Sequence, residues 1–204
     1  MKGVKMLFKY AVDNEYLGYT PFLRHKSKKF IKKPILFLTE EELARLEAKD
    51  FNSPRLDFVK DFFLLQCYSG MSFADLCAFT KDSVKLVEDR HFIVRYRQKT
   101  KVPFIVPLLC KAELIFEKYN WKLPVKCNQK MNCYLKEIAD ICGFSLELTT
   151  HVGRKTFATL SLSMGVPIET VSKMVGHTNI KQTLDAYADV LTSKMIQDMA
   201  ILEG

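Results

Sequence analysis

The spacing of apolar residues along the chain changes period twice, and the changes outline the fold. "FLTEEELARLEA" opens with Thr39 and Glu42 at capping-box spacing, which predicts a helix start. A second helix is predicted after Ser53, with Pro54 in its first turn and Leu56, Val59, Phe62 and Phe63 turned inward. "CYSGMSFADL" stops it at Gly70 and starts another, with Ser72 as N-cap. Over residues 84–108 the pattern becomes β-rich. "VKLV", "HFIVRYR" and "FIVPL" are separated by "EDR" and "QKTKVP", which predicts a three-stranded antiparallel sheet with Lys99 in or beside the second turn. Helical spacing returns at 110–119 and at 128–142, the latter stopped by Gly143. It continues at 150–164, 167–175 after Pro167, 179–188 and 191–202. The fold class is therefore mostly α with a small three-stranded antiparallel β-sheet.

Residues 1–34 are of a different kind. "MLFKYAVDNEYLGYTPF" reads as one helix ending near Gly18, and "RHKSKKFIKK" as a basic stretch without period. That stretch suits a linker lying along a phosphate backbone, and equally a solvated loop. The expected division is 1–34 and 35–204, the first part being a fragment of a preceding domain.

Composition narrows the class of function. Of 204 residues 48% are hydrophobic and 26% charged, enough for a packed core, and the net charge of +8 suits a polyanionic partner. The six cysteines form no C-x-x-C pair and lie away from the four histidines, so they read as buried thiols of a reducing compartment rather than metal ligands. No apolar run is long enough to span a bilayer and no signal peptide is visible; the expectation is a cytoplasmic protein without a membrane partner.

Two segments carry candidate chemistry. In "TTHVGRKTFATL", Thr150 is placed to cap a helix bearing Val152, Phe157, Leu160 and Met164, with His151 and Arg154 one turn apart on a shared face. An imidazole and a guanidinium at a helix N-terminus suit an anion, and a phosphate in particular. In "MVGHTNIKQTLDAYADV", Gly176 ends a helix, His177 follows it, and Thr178 can cap the next, whose Ile180, Leu184 and Tyr187 share a face. Taken singly, Tyr187 reads as core, His177 as structural and Arg154 as an ion-pair partner.

Together and in order, these elements resemble the catalytic domain of the tyrosine recombinases, the phage integrase family. "FLTEEEL" is similar to the family's opening helix and "RQKTKVPFIVPL" to its lysine hairpin. "THVGRKTFAT" resembles its H-x-x-R box, and "MVGHTNIKQTLDAY" its G-H and nucleophile boxes. The resemblance runs from about Phe37 to the C-terminus, and residues 1–34 look like the tail of a core-binding domain plus linker. The wording of "CYSGMSFADL" and "RQKTK" is most like integrases of Bacteroides-type mobile elements.

The resemblance implies a DNA breaking-rejoining fold and a reaction through a 3′-phosphotyrosine. Tyr187 would attack the scissile phosphate, with His151 helping its proton to leave. Arg154 and His177 would bind the non-bridging oxygens, and Lys99 would protonate the leaving 5′-oxygen. Neither metal nor cofactor is implied. Arg95, Arg97, Lys101, Lys155 and Lys181 would follow phosphates on double-stranded DNA, or else be solvated charges. The implied assembly is a homotetramer on DNA and a monomer alone, nucleoid-associated, with room for accessory DNA-bending proteins. Residues 191–204 would dock on a neighbouring protomer or pack on their own domain.

One position departs from the family. Its first box, roughly T-G-[L]-R-x-S-E-L, carries a second arginine, and here Ser72 stands at that place. Losing such a cation costs on the order of a hundredfold in rate. Either another cation substitutes, Lys60 first and Arg55 second, or the enzyme is slow and leans on accessory proteins, or the site has decayed into a DNA-binding module. The substitute cation is the favoured expectation. A type IB topoisomerase and, remotely, a ribonuclease are the other enzymatic readings.

Overall fold

In the computed structural model, residues 2–22, 35–124, 126–181, 183, 184, 187 and 199 are described. The chain divides into two compact units, Met1–Pro34 and Ile35–Gly204. In the first, α1 spans Lys2–Asp13, several residues short of the expected end near Gly18. Asn14 closes it by donating its side-chain amide to the Tyr10 carbonyl, 2.8 Å away.

The second unit is built around one helix. After α2 (Glu40–Ala48), α3 runs from Pro54 to Ser69, and every residue from Asp61 to Ser69 is buried. A helix buried all round has no solvent face, so its apolar residues follow no amphipathic stripe. It packs against α2, α5 (Cys110–Lys118), α6 (Asn128–Cys142) and α7 (Thr150–Ser163). Its closest neighbour is α7, where Gly153 faces Gln66 and Phe63. A Cβ at 153 would stand 2.9 Å from the Gln66 Cβ and 3.2 Å from the Phe63 ring. Buried Thr156 ties in the start of the unit by accepting from the Leu38 N–H at 2.9 Å.

Local chemistry sets the boundaries. Thr39 and Glu42 form the capping box of α2. Gly70 ends α3 in the left-handed region at φ 63°, a conformation that costs glycine nothing. Ser72 and Asp75 cap the short helix α4 (Phe73–Cys77) reciprocally. The antiparallel sheet follows in the order β1 (Val84–Val87), β2 (Arg90–Tyr96), β3 (Pro103–Pro107). Glu88 and Asp89, both at positive φ, make the first turn, and residues 97–102 make the second. Ile93 and Val106, paired across β2 and β3, bury completely. The last named helix, α8 (Ile168–Met174), packs on β3 and α7, which brings its C-terminal end beside the second hairpin.

Three expectations shift in detail. The N-cap of α7 is Thr149, which accepts from Val152 N–H; Thr150 is instead helical and bonded to Asn132 and Asn128 of α6. At the start of the next helical residues, the Asn179 side chain accepts from the Lys181 N–H at 2.8 Å. There Thr183 and Tyr187 are buried while Leu184 is 43% exposed, so the inward face is turned by one residue from the expected Leu184 stripe. The cysteines also differ from expectation: Cys67 is buried, but Cys110, Cys127 and Cys133 are exposed. Most of 191–204, the expected docking segment, and all of the basic stretch 24–33 lie outside the described residues. Among the described residues no helix is long and apolar enough to cross a membrane.

The α3–α7 contact gives the first prediction. Gly153→Ala should lower stability by about 1–3 kcal/mol, because overpacking outweighs the ~1 kcal/mol gained in helix propensity. Urea unfolding reads it; an unchanged or raised midpoint would show that the two helices can separate.

Candidate active site

Arg154 lies one turn into α7 and is 7% exposed. Its guanidinium donates from Nη1 to the carbonyl of Gly70 and from Nη2 to the carbonyl of Val175. Both acceptors are C-cap residues, of α3 and α8, whose carbonyls have no helical partner and carry the negative end of the helix dipole. Burial and the nearby Arg97 charge push the Arg154 pKa down, to about 9, so it remains a cation at neutral pH.

Arg97 enters from the second hairpin. Its Nη1 donates to the same Val175 carbonyl at 3.1 Å. Its Nε lies 3.2 Å from Asp75 Oδ2. Asp75, 2% exposed, is itself held from three directions. It accepts from the Ser72 hydroxyl at 2.6 Å, from the Ser72 N–H at 3.4 Å, and from the Gln98 N–H at 2.8 Å.

The two histidines stand around these cations. His177 follows Gly176, and its Nδ1 is 2.7 Å from the buried Thr183 hydroxyl. Burial first, then the charges of Arg154, Arg97 and His151, depress its pKa to about 4. His151, in the first turn of α7, is shifted downward by loss of solvent and then by the charges of Lys155, Arg154 and Arg97. Tyr187 is 4% exposed, and burial raises its phenol to about 12 against the opposing pull of Arg154. The fold thus brings Arg154 and His151 of α7 together with His177 and Tyr187 into one electrostatic neighbourhood. At neutral pH two guanidiniums face one carboxylate there and both imidazoles are neutral. With Lys155 also acting on His151, positive charge is in surplus among the described residues, which suits a phosphodiester.

The remaining candidates separate. Lys99 sits exposed at the tip of the β2–β3 turn, and Lys101 closes that turn at φ 57°. Lys155 lies beside His151, and Lys181 is exposed. Arg95 is engaged with the carbonyl of Ala78. Ser72 does not offer its hydroxyl to an anion, since that proton is given to Asp75.

Lys60 and Arg55 do not supply the missing charge. The Lys60 ammonium donates to the Lys49 carbonyl at 2.6 Å and lies over Phe51. Arg55 pairs with Glu137 at 2.8 Å and stacks on Tyr134. Both belong to the first half of α3, whereas Arg154 meets the chain just past that helix's other end. Spacing along the sequence placed them near; the 16-residue length of the helix takes them away.

Asp75 and Thr183 went unnoticed in the sequence. Asp75 was legible as the fourth residue of a capping box beginning at Ser72. Thr183 had no such signal. Among the described residues no cluster of three or more histidine, cysteine or acidic side chains could hold a metal ion.

The phage integrase family profile matches residues 37–194, and the chain belongs to that family, whose members include tyrosine recombinases. It is 26% identical over 194 residues to a tyrosine recombinase of Thermosipho africanus, covering 90% of this chain and 68% of that protein. It is 23% identical to tyrosine recombinase XerC of Bacillus pumilus, covering 90% and 67%. The fold is similar to the Tn1549 transposon integrase in complex with a circular intermediate DNA, with a TM-score of 0.71, 17% identity and coverage of 96% and 77%. It is also similar to XerH site-specific recombinase bound to its difH substrate, with a TM-score of 0.64, 13% identity and coverage of 84% and 54%. The chain thus spans about half of that recombinase's length.

The depressed His177 pKa has a consequence for stability. The unfolded ring takes up a proton near 6.5 and the folded ring only near 4, so acidification between those values favours unfolding. His177→Asn should therefore lose less thermal stability than the wild type between pH 7 and pH 5. Equal losses would show that the ring is not held neutral in the fold.

Proposed function

We propose that this chain is the catalytic part of a site-specific DNA recombinase that breaks and rejoins strands through a 3′-phosphotyrosine. The observation that carries the reading is the convergence of Tyr187, Arg154, His151 and His177 in one electrostatic neighbourhood with surplus positive charge.

Each group has a task that its surroundings suit. The Tyr187 oxygen attacks phosphorus, forming the Oη–P bond as the P–O5′ bond breaks. The phenolic proton must leave at neutral pH, and His151, held neutral, is able to accept it. Arg154 lies against the phosphate's non-bridging oxygens, its charge opposing the build-up of negative charge in the transition state. His177 adds a hydrogen bond from Nε2–H, which requires that Thr183 donate to Nδ1 and so fix the tautomer. Lys99, carried on the exposed turn, gives its proton to the departing 5′-oxygen. The phosphotyrosine retains the energy of the cleaved bond, so the reverse attack by a 5′-hydroxyl reseals DNA without ATP or metal.

The substrate is double-stranded DNA at attachment sites, with Lys101, Lys155 and Lys181 on the surrounding backbone. Residues 1–34 serve as the end of a core-binding domain and a basic linker, and 191–204 as a docking tail in a tetramer formed on DNA. Integration or excision of a mobile element is the favoured context. It is supported by the wording of "CYSGMSFADL" and by the likeness of fold to a transposon integrase.

A nicked duplex that loses its 5′-hydroxyl fragment on cleavage should trap the chain covalently, and Tyr187→Phe should abolish the adduct. An adduct that persists in Tyr187→Phe would transfer the nucleophile's role elsewhere. No adduct from the wild type would support the DNA-binding relative with a decayed site. Relaxation of supercoiled plasmid without a partner site would favour the topoisomerase.

A further inference from the structure

We propose that Arg97 is a catalytic residue, supplying to the scissile phosphate the second guanidinium that Ser72 lacks. The inference rests on the recombinase reading and identifies a residue of that same site.

Placement comes first. Arg97 and Arg154 donate to one carbonyl oxygen, that of Val175. Two hydrogen bonds to a single atom keep their donor nitrogens within about 6 Å of each other. A phosphate spans that interval, so a group bound by one guanidinium is within reach of the other. The charge of Arg97 is also felt at both His151 and His177, which places it among the reacting groups rather than on the outer DNA track.

Its hydrogen-bonding capacity is largely unspent. A guanidinium offers five N–H donors. Arg97 makes one aligned bond, to Val175. Its Nε is buried and makes no hydrogen bond although Asp75 Oδ2 is 3.2 Å away, and Nη2 has no partner among the described residues. Arg154, by contrast, commits two nitrogens to carbonyls.

The surroundings hold Arg97 where it is. A Cβ on Gly176 would lie 2.9 Å from both Cγ and Cδ of Arg97, so the residue before His177 gives room to its aliphatic stem. Ser72, at the position of the absent arginine, donates to Asp75, and Asp75 faces the Arg97 Nε. The small residue therefore positions the substitute cation through a carboxylate. Lys60 and Arg55 are committed at the far end of α3.

A rival role is mechanical: Arg97 could merely latch the hairpin to the end of α8. Charge on the substrate separates the two. A phosphodiester needs cations because negative charge grows on its non-bridging oxygens, whereas a methylphosphonate at the same place is neutral and needs them far less. The test compares wild type, Arg97→Gln and Arg97→Lys on two nicked duplexes spanning an end of the DNA element that encodes the chain. One carries the natural phosphate and the other a methylphosphonate, and the readout is the rate of covalent adduct formation.

On phosphate, Arg97→Gln should be slower by on the order of 100-fold or more, and Arg97→Lys should retain part of the rate. On methylphosphonate, Arg97→Gln should approach the wild type. Unimpaired cleavage of phosphate by Arg97→Gln, or an equal loss on both duplexes, would overturn the assignment while leaving the recombinase reading intact. A wild type that forms no Tyr187-dependent adduct on either duplex would overturn both.

Discussion

The carbonyl oxygen of Val175 accepts from two guanidinium groups, and this shared acceptor organises the site. Buried cations repel one another and lose their hydration, so they persist side by side only where fixed dipoles and a carboxylate offset that cost. Here the dipoles are supplied by helix ends. The C-caps of α3 and α8 present carbonyls that no intrahelical N–H can use, and these face Arg154. Asp75, pinned by Ser72 and Gln98, supplies the carboxylate. A cluster with surplus positive charge follows without any loop built to cradle phosphate.

The state of the neighbouring titratable groups follows from burial first and then from this charge. Neither histidine, buried and beside two cations, takes a proton readily, so one is able to accept and the other to donate a hydrogen bond from a neutral ring. Tyr187 feels two opposed influences. Burial holds its phenol protonated, while Arg154 favours the phenolate. An arriving phosphodiester would weaken that favourable pull, which makes a proton acceptor close to the tyrosine a chemical necessity rather than an accessory.

Much of this was legible in the sequence, for physical reasons that differ by element. Capping chemistry at Thr39 and Ser72, left-handed stops at Gly70 and Gly143, and the change of period at 84–108 are local signals, and the elements they mark form as expected. Arg154 and His177 were readable from spaced motifs. The substitute cation was not. Arg97 reaches the site only because β2 and β3 pair in a register that brings the hairpin against the end of α8, and that is a long-range fact. Lys60 and Arg55 lie on the helix that leads to Gly70, ten and fifteen residues before it. A rigid helix turns that nearness in sequence into distance, whereas a hairpin turns remoteness into contact.

A cation carried on the hairpin differs in kind from one carried at the head of α4. Arg97 opens the turn whose tip holds Lys99, its backbone N–H donating to Val102 at 2.8 Å and its carbonyl accepting from Lys101 at 3.0 Å. On the assignment proposed above, the charge that stabilises the transition state and the acid that protonates the leaving group belong to one short loop. Arg97 is anchored to α8 and to Asp75, while Lys99, two residues on, is exposed. The anchor then limits how far the lysine can travel, since two residues span only ~7 Å of extended chain. Any contact with DNA that draws the tip toward the phosphate would act on a loop already fixed at its base, so the acid's approach and the second guanidinium's placement become one structural event.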